Sequence, residues 1–102
     1  MRKKFFEREY EVVDLKEIGC NEYAFDLVSA IAFLYEAASC GKRILGGDII
    51  EKVGDHWSVS NDNWYSEKET PEETLDDALN YLRNYLDRNY KLYPWKVSIV
   101  IS

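Results

Sequence analysis

The chain has 102 residues, which is enough for one domain with one core and too few for a multi-domain enzyme, so residues 1–102 are treated as a single domain. Hydrophobic residues make up 46% and charged residues 31%, proportions that are typical of a globular protein and exclude the disordered class. The formal net charge of −6 makes nucleic acid a poor partner, because an acidic surface repels phosphate groups.

The first candidate element is Tyr10 to Leu15, whose pattern fits either a short strand or an extended lead-in. An amphipathic helix is predicted next, because Asn21 is a good N-cap and Gly41 is a good residue to follow a helix. Between them, apolar residues recur at helical spacing. These are Ala24, Leu27, Val28, Ile31, Leu34, Tyr35 and Ala38.

A β-hairpin is predicted for residues 43–53 and 56–65, since Gly54-Asp55 has the length of a two-residue loop and suits a type II′ turn. Thr70-Pro71-Glu72-Glu73 then predicts a helix start, with Thr70 as the cap, Pro71 in the first turn and Glu73 completing a capping box. The apolar stripe of this helix continues to about Asn89.

Residues 95–101, after Pro94, alternate and then become wholly apolar, as in a strand that is buried on both faces. The elements therefore predict an α+β domain of order αββαβ. In this domain the hairpin and the C-terminal strand form an antiparallel sheet, and two amphipathic helices pack on it.

The sequence also predicts a cytoplasmic protein without a membrane partner. The positive start, Met1 to Lys4, is not followed by the apolar core of a signal peptide, and no run of about 18 apolar residues occurs. Cys20 and Cys40 form no Cys-x-x-Cys or Cys/His pattern, so we expect reduced, partly buried thiols.

Catalytic and metal-binding patterns are weak. His56 is the single histidine, no Ser or Cys nucleophile stands near it in a recognisable setting, and no run has the spacing of a zinc or calcium site. We therefore expect no catalytic residue, no metal and no cofactor.

Gly46-Gly47-Asp48 is a candidate phosphate-binding turn or cyclase signature, but the following Ile49-Ile50 fits neither. Paired glycines within a strand pattern indicate a bulge or a close backbone approach. We expect Gly46 and Gly47 to be structural, with Asp48 supporting their turn by accepting hydrogen bonds from local N–H groups.

The candidate partner-binding surface lies in residues 62–77, which contain seven acidic residues and only Lys68 as a basic one. We expect a basic protein to dock there, with Trp64 or Tyr65 as an aromatic anchor. The acidic candidates are Asp62, Glu67, Glu69, Glu72 and Asp76. The alternative is that these acids solvate a helix N-terminus while Trp64 packs in the core.

Three segments carry a resemblance to a known family: Ile18 to Phe25, Ile44 to Asp48 and Asp62 to Tyr65. With its Gly-Gly-Asp motif and later Asn-Trp, the chain resembles the immunity protein 40 group, which occurs beside polymorphic and contact-dependent-inhibition toxins in bacteria. The resemblance implies stoichiometric binding of a cognate toxin domain. Many such toxins are nucleases with basic clefts, to which an acidic surface is complementary.

Three classes of function remain: an inhibitor of a toxin, a regulatory adaptor that binds another protein, and an enzyme. Toxin inhibition is favoured by the resemblance and by the local acidity. A high aromatic content of 15%, including eight tyrosines, favours protein binding of either kind. The sequence does not fix the oligomeric state.

Overall fold

A computed structural model of the chain describes residues 1–19 and 22–102. These described residues form six strands and two α-helices. In chain order they are β1 (Arg2–Phe5), β2 (Arg8–Asp14), β3 (Tyr23–Phe25), α1 (Leu27–Ser39), β4 (Ile44–Val53), β5 (His56–Tyr65), α2 (Pro71–Asn89) and β6 (Lys96–Ile101), with 3₁₀ helices at Leu15–Ile18 and Tyr90–Leu92. The α+β class is confirmed, and from α1 onward the elements follow the predicted order αββαβ. Three N-terminal strands precede them.

The strands form one antiparallel sheet in the order β1-β2-β3-β6-β4-β5. The predicted hairpin is confirmed, since β4 and β5 are joined by Gly54 and Asp55 alone. Gly54 has a φ of 60°, which the first central residue of a type II′ turn requires. Residues 10–14 belong to β2, which resolves the open choice at Tyr10 in favour of a strand.

Helix α1 begins later than the sequence predicts. Asp26 is its N-cap, accepting a 2.7 Å hydrogen bond from the backbone N–H of Ser29. Tyr23–Phe25 form β3 instead, and the predicted cap Asn21 lies outside the described residues. The prediction was wrong here because Ala24 is buried in the sheet, so strand and helix together imitate one long apolar stripe.

Helix α2 matches its prediction at both ends. The Thr70 hydroxyl accepts a hydrogen bond from the backbone N–H of Glu73 and donates one to the Glu73 carboxylate, at 3.2 and 2.9 Å. Pro71 occupies the first helical turn, where its missing N–H needs no partner. The buried residues of the helix are Thr74, Ala78, Leu82 and Tyr85.

The main core lies between the helices and one face of the sheet. Phe33 and Leu34 of α1, Leu82 of α2, and Ile49 and Val97 of the sheet are all buried in it. The opposite face carries a smaller buried cluster of Leu15, Ala24 and Ile50. Strand β6 is buried on both faces only at Val97 and Ser98, because Val100 is 38% exposed.

Candidate partner-binding surface

The two aromatic candidates at the end of β5 point to opposite faces of the sheet, as successive residues of a strand must. Trp64 is only 8% exposed, and its ring stacks on that of Tyr81 in α2 at a centroid distance of 5.0 Å. Tyr65 is 75% exposed. Trp64 therefore belongs to the core, and Tyr65 is the ring that a partner protein can reach.

Gly46 and Gly47 lie inside β4, where β5 approaches their backbone closely. A Cβ atom on Gly47 would lie 2.6 Å from the Cζ3 atom of the Trp64 ring and would also collide with the carbonyl oxygen of Ser98. A Cβ atom on Gly46 would collide with the carbonyl oxygen of Trp64. The predicted close backbone approach is confirmed, and the indole of Trp64 occupies the space that Gly47 leaves.

The predicted role of Asp48 is wrong, because the two glycines form no turn. Asp48 continues β4 and is paired with Asn63 of β5 and Ser98 of β6. Among the described residues, its carboxylate accepts no hydrogen bond. The pairing of β4 with β5 shifts register between Asp48 and Ile50, so the irregularity beside the glycines lies in the strand pairing and not in a turn that Asp48 could support.

Asp62, in β5, is linked to α2 by a hydrogen bond. Its carboxylate accepts a 3.0 Å hydrogen bond from the hydroxyl of Tyr85, whose side chain is otherwise buried. Burial and, after it, this hydrogen bond and the nearby charge of Asp62 raise the pKa of Tyr85 to about 12. Asp62 thus has a structural contact, which distinguishes it from the other acidic candidates.

The other four candidates are free of such contacts. Glu67 and Glu69 lie in the segment between β5 and α2, while Glu72 and Asp76 lie one turn apart on the exposed surface of α2. Within residues 1–19 and 22–102, the ion pairs join Met1 or Arg2 to acids of β2, and none reaches these four carboxylates. No salt bridge in the described part of the chain therefore neutralises these four carboxylates.

Two neighbouring acids serve the structure instead. The Glu73 carboxylate accepts from the Thr70 hydroxyl, and the Asp77 carboxylate accepts a 2.7 Å hydrogen bond from the Ser66 hydroxyl. The second bond holds the start of the 66–70 segment against α2. Tyr65 directly precedes this segment, so the exposed ring and the free acids are fixed to the same part of the molecule.

A groove between α1 and α2, with a volume of about 430 Å³, was not predicted. Asp76 is one of its lining residues, and the apolar ones include Leu27, Ile31, Tyr35, Leu79 and Leu86. A signal was present in the sequence, since the apolar stripe of α1 includes Ile31 and Tyr35, yet these are 36% and 54% exposed. The stripe is wider than the face of α1 that the core covers.

The remaining features show no chemical centre. His56 is exposed at the start of β5, and Cys40 is exposed at the end of α1, contrary to the predicted partial burial of the thiols; Cys20 lies outside the described residues. In the described part of the chain, no three His, Cys, Asp or Glu side chains are grouped so that they could hold a metal ion. Neither α1 nor α2 combines the length and apolar character needed to cross a membrane.

Comparison with known proteins gives one positive result. A family model described as Immunity protein 40 matches residues 14–101. No curated protein and no solved structure matches the chain. The matched range covers every element from β3 to β6, including the glycine pair of β4, Tyr65 and the free acids around the start of α2. The chain therefore belongs to the immunity protein 40 family.

Proposed function

We propose that this protein neutralises a cognate bacterial toxin domain by binding it stoichiometrically in the cytoplasm. The proposed binding surface, called here the acidic surface, consists of Tyr65, Glu67, Glu69, Glu72 and Asp76. The observation that carries the proposal is the grouping of four exposed carboxylates, none of them in a salt bridge within the described residues, beside the exposed ring of Tyr65. Membership of an immunity protein family supplies the class of partner.

The charge of the surface defines the chemistry of the toxin that fits it. Like charges at positions i and i+4 of a helix, such as Glu72 and Asp76, repel each other by about 0.2–0.5 kcal/mol. A basic partner relieves this repulsion and is attracted over a distance of about 10 Å at 0.1 M salt. A nuclease domain is the proposed partner, because a cleft that binds a polyanionic substrate carries the required lysines and arginines.

Tyr65 supplies the second part of the proposed interface. An exposed tyrosine offers a large rigid ring that loses little conformational entropy on binding, and such rings are enriched among the residues that dominate interface energies. Charges mainly control the association rate, whereas a ring that becomes buried mainly controls dissociation. The two contributions can therefore be separated by kinetics.

The test uses the purified cognate toxin domain. The wild-type protein is expected to co-purify with it at a one-to-one ratio and to restore the growth of cells that express it. Failure both to bind and to protect would overturn the proposal. An association rate that does not fall with increasing salt would overturn its electrostatic part.

Variants then separate the contribution of the acidic charges to binding from that of the Tyr65 ring. Replacing Glu67, Glu69 and Glu72 with glutamine should slow association and reduce its salt dependence, while Tyr65→Ala should raise the dissociation rate, costing about 2 kcal/mol if the ring is a central contact. A matched control neutralises three exposed acids elsewhere, Glu7, Glu51 and Asp55, and should leave the salt dependence nearly unchanged. Equal effects of the two triple variants would show that only net charge matters.

A further inference from the structure

We infer that the groove between α1 and α2 receives an apolar side chain of the toxin, and that a lysine or arginine flanks this side chain. This inference rests on the proposed function and names a second contact of the same complex. The groove adjoins the acidic surface, because Asp76 belongs to both.

The first argument is the exposed apolar surface. Ile31 and Tyr35 remain 36% and 54% exposed on α1, and they face Leu79 and Leu86 of α2 across a volume of about 430 Å³. This volume lies within the range of about 300–1,000 Å³ that is usual for pockets in proteins. Apolar side chains that rim such a pocket gain free energy when a partner removes them from water.

The second argument is the charge at the edge of the groove, which determines the charge that a complementary occupant must carry. Asp76 and Arg83 both line it, and they are separated by seven residues, or about 10 Å along the helix at 1.5 Å per residue. Glu72 stands one turn before Asp76 and adds negative charge at that end. An occupant with an apolar side chain in the groove and a cation beside Asp76 is therefore complementary.

A second copy of this chain is a poorer occupant. A net charge of −6 on each copy opposes their association, and the acidic surfaces beside the two grooves would repel each other. A basic toxin has the opposite sign. One basic partner can therefore contact the acids of the 66–70 segment and the groove at the same time. Two separate partners are not needed to explain the two adjoining surfaces.

The decisive comparison is between two exposed apolar residues of α1. Ile31→Asp places a charge in the groove and is expected to weaken binding of the cognate toxin domain at least tenfold. Val28→Asp is the matched control, because Val28 is 77% exposed and does not line the groove; its affinity should stay within twofold of wild type. Tyr35→Ala is a milder second variant, expected to raise the dissociation rate about fivefold or more, should Ile31→Asp reduce folding.

Substitution of Arg83 tests the sign of the charge on the occupant of the groove. Arg83→Gln removes the cation at the groove and should speed the association of a basic toxin about twofold, whereas Asp76→Asn should slow it. The opposite signs would show that the occupant carries negative charge and would overturn the inference.

Each remaining outcome has one meaning. If the wild type binds the toxin and the Ile31 and Tyr35 variants, shown to be folded, bind equally well, the groove inference fails while the proposed function stands. If the wild type neither binds nor protects, both fail. If sedimentation shows a wild-type dimer that Ile31→Asp converts to a monomer, the groove is an interface between copies, and the inference is overturned.

Discussion

Gly47 shows how one residue fixes the position of a large side chain. Because a Cβ atom there would collide with both the Trp64 ring and the Ser98 carbonyl group, Gly47→Ala must shift the local packing against both. We expect a loss of about 1–3 kcal/mol in the free energy of unfolding, the usual cost of overpacking a core. Urea denaturation measures it.

A double mutant separates the contributions of these two neighbours. In a Trp64→Phe background the smaller ring leaves room for the added methyl group, so Gly47→Ala should cost less than it does alone. Additive costs would show that the Ser98 backbone, and not the ring, is the constraint.

The raised pKa of Tyr85 makes the free energy of unfolding depend on pH in the alkaline range. Its pKa is raised to about 12 by burial and by Asp62, above an ordinary tyrosine value near 10. The folded protein therefore holds this proton more tightly than the unfolded chain does. The corresponding stability is fully present below about pH 10 and is lost as the pH rises toward 12.

We therefore expect the melting temperature to fall between pH 10 and 12, and Tyr85→Phe to make this fall shallower. Tyr10 and Tyr81 also have pKa values raised by burial, so some pH dependence remains. Tyr65→Phe, at an exposed position, serves as the control. An equal slope in the wild type and in Tyr85→Phe would rule out the proposed titration.

At the scale of elements, α2 depends on its cap. Thr70→Ala removes the acceptor for the Glu73 N–H and should lower the free energy of unfolding by about 1 kcal/mol. Thr70→Ser keeps the oxygen and should recover most of this loss. The urea midpoint should shift without a change in the slope of the transition, and equal midpoints for Thr70→Ala and the wild type would contradict the role of the cap.

The elements also show which parts of the fold a sequence can predict. Helix α2 was predicted correctly because its start depends on residues 70–73 alone, which are adjacent in the chain. Strand β3 was missed because Tyr23–Phe25 is too short to show alternation and is stabilised by pairing with β2 and β6. Such pairing is non-local, and it leaves no pattern within the segment itself.

The same distinction applies to the candidate surface. Alternation along β5 requires Trp64 and Tyr65 to lie on opposite faces, but only the packed structure shows that Trp64 is on the buried one. Likewise, Asp62 and Glu67 look alike in sequence, while their surroundings differ because Tyr85 approaches Asp62 from another element. The groove depends on the separation of two helices, which neither helical pattern encodes.

At the scale of the whole molecule, charge is distributed unevenly. Residues 62–77 carry a net charge of −6, whereas residues 78–102 carry +3, from four basic residues and one acidic residue. Within about 10 Å at 0.1 M salt, a basic partner would therefore be attracted toward the start of α2. Such attraction would favour the association that we propose with a basic toxin domain.

The position of β6 has a consequence for synthesis on the ribosome. It is the last element in chain order, yet it lies in the middle of the sheet, between β3 and β4. Until residues 96–101 emerge from the exit tunnel, the nascent chain holds two separate pieces, β1-β2-β3 and β4-β5, with no strand to join them. Without that strand the helices lack a continuous sheet on which to pack. The sheet therefore becomes continuous only once residues 96–101 are available to pair with β3 and β4.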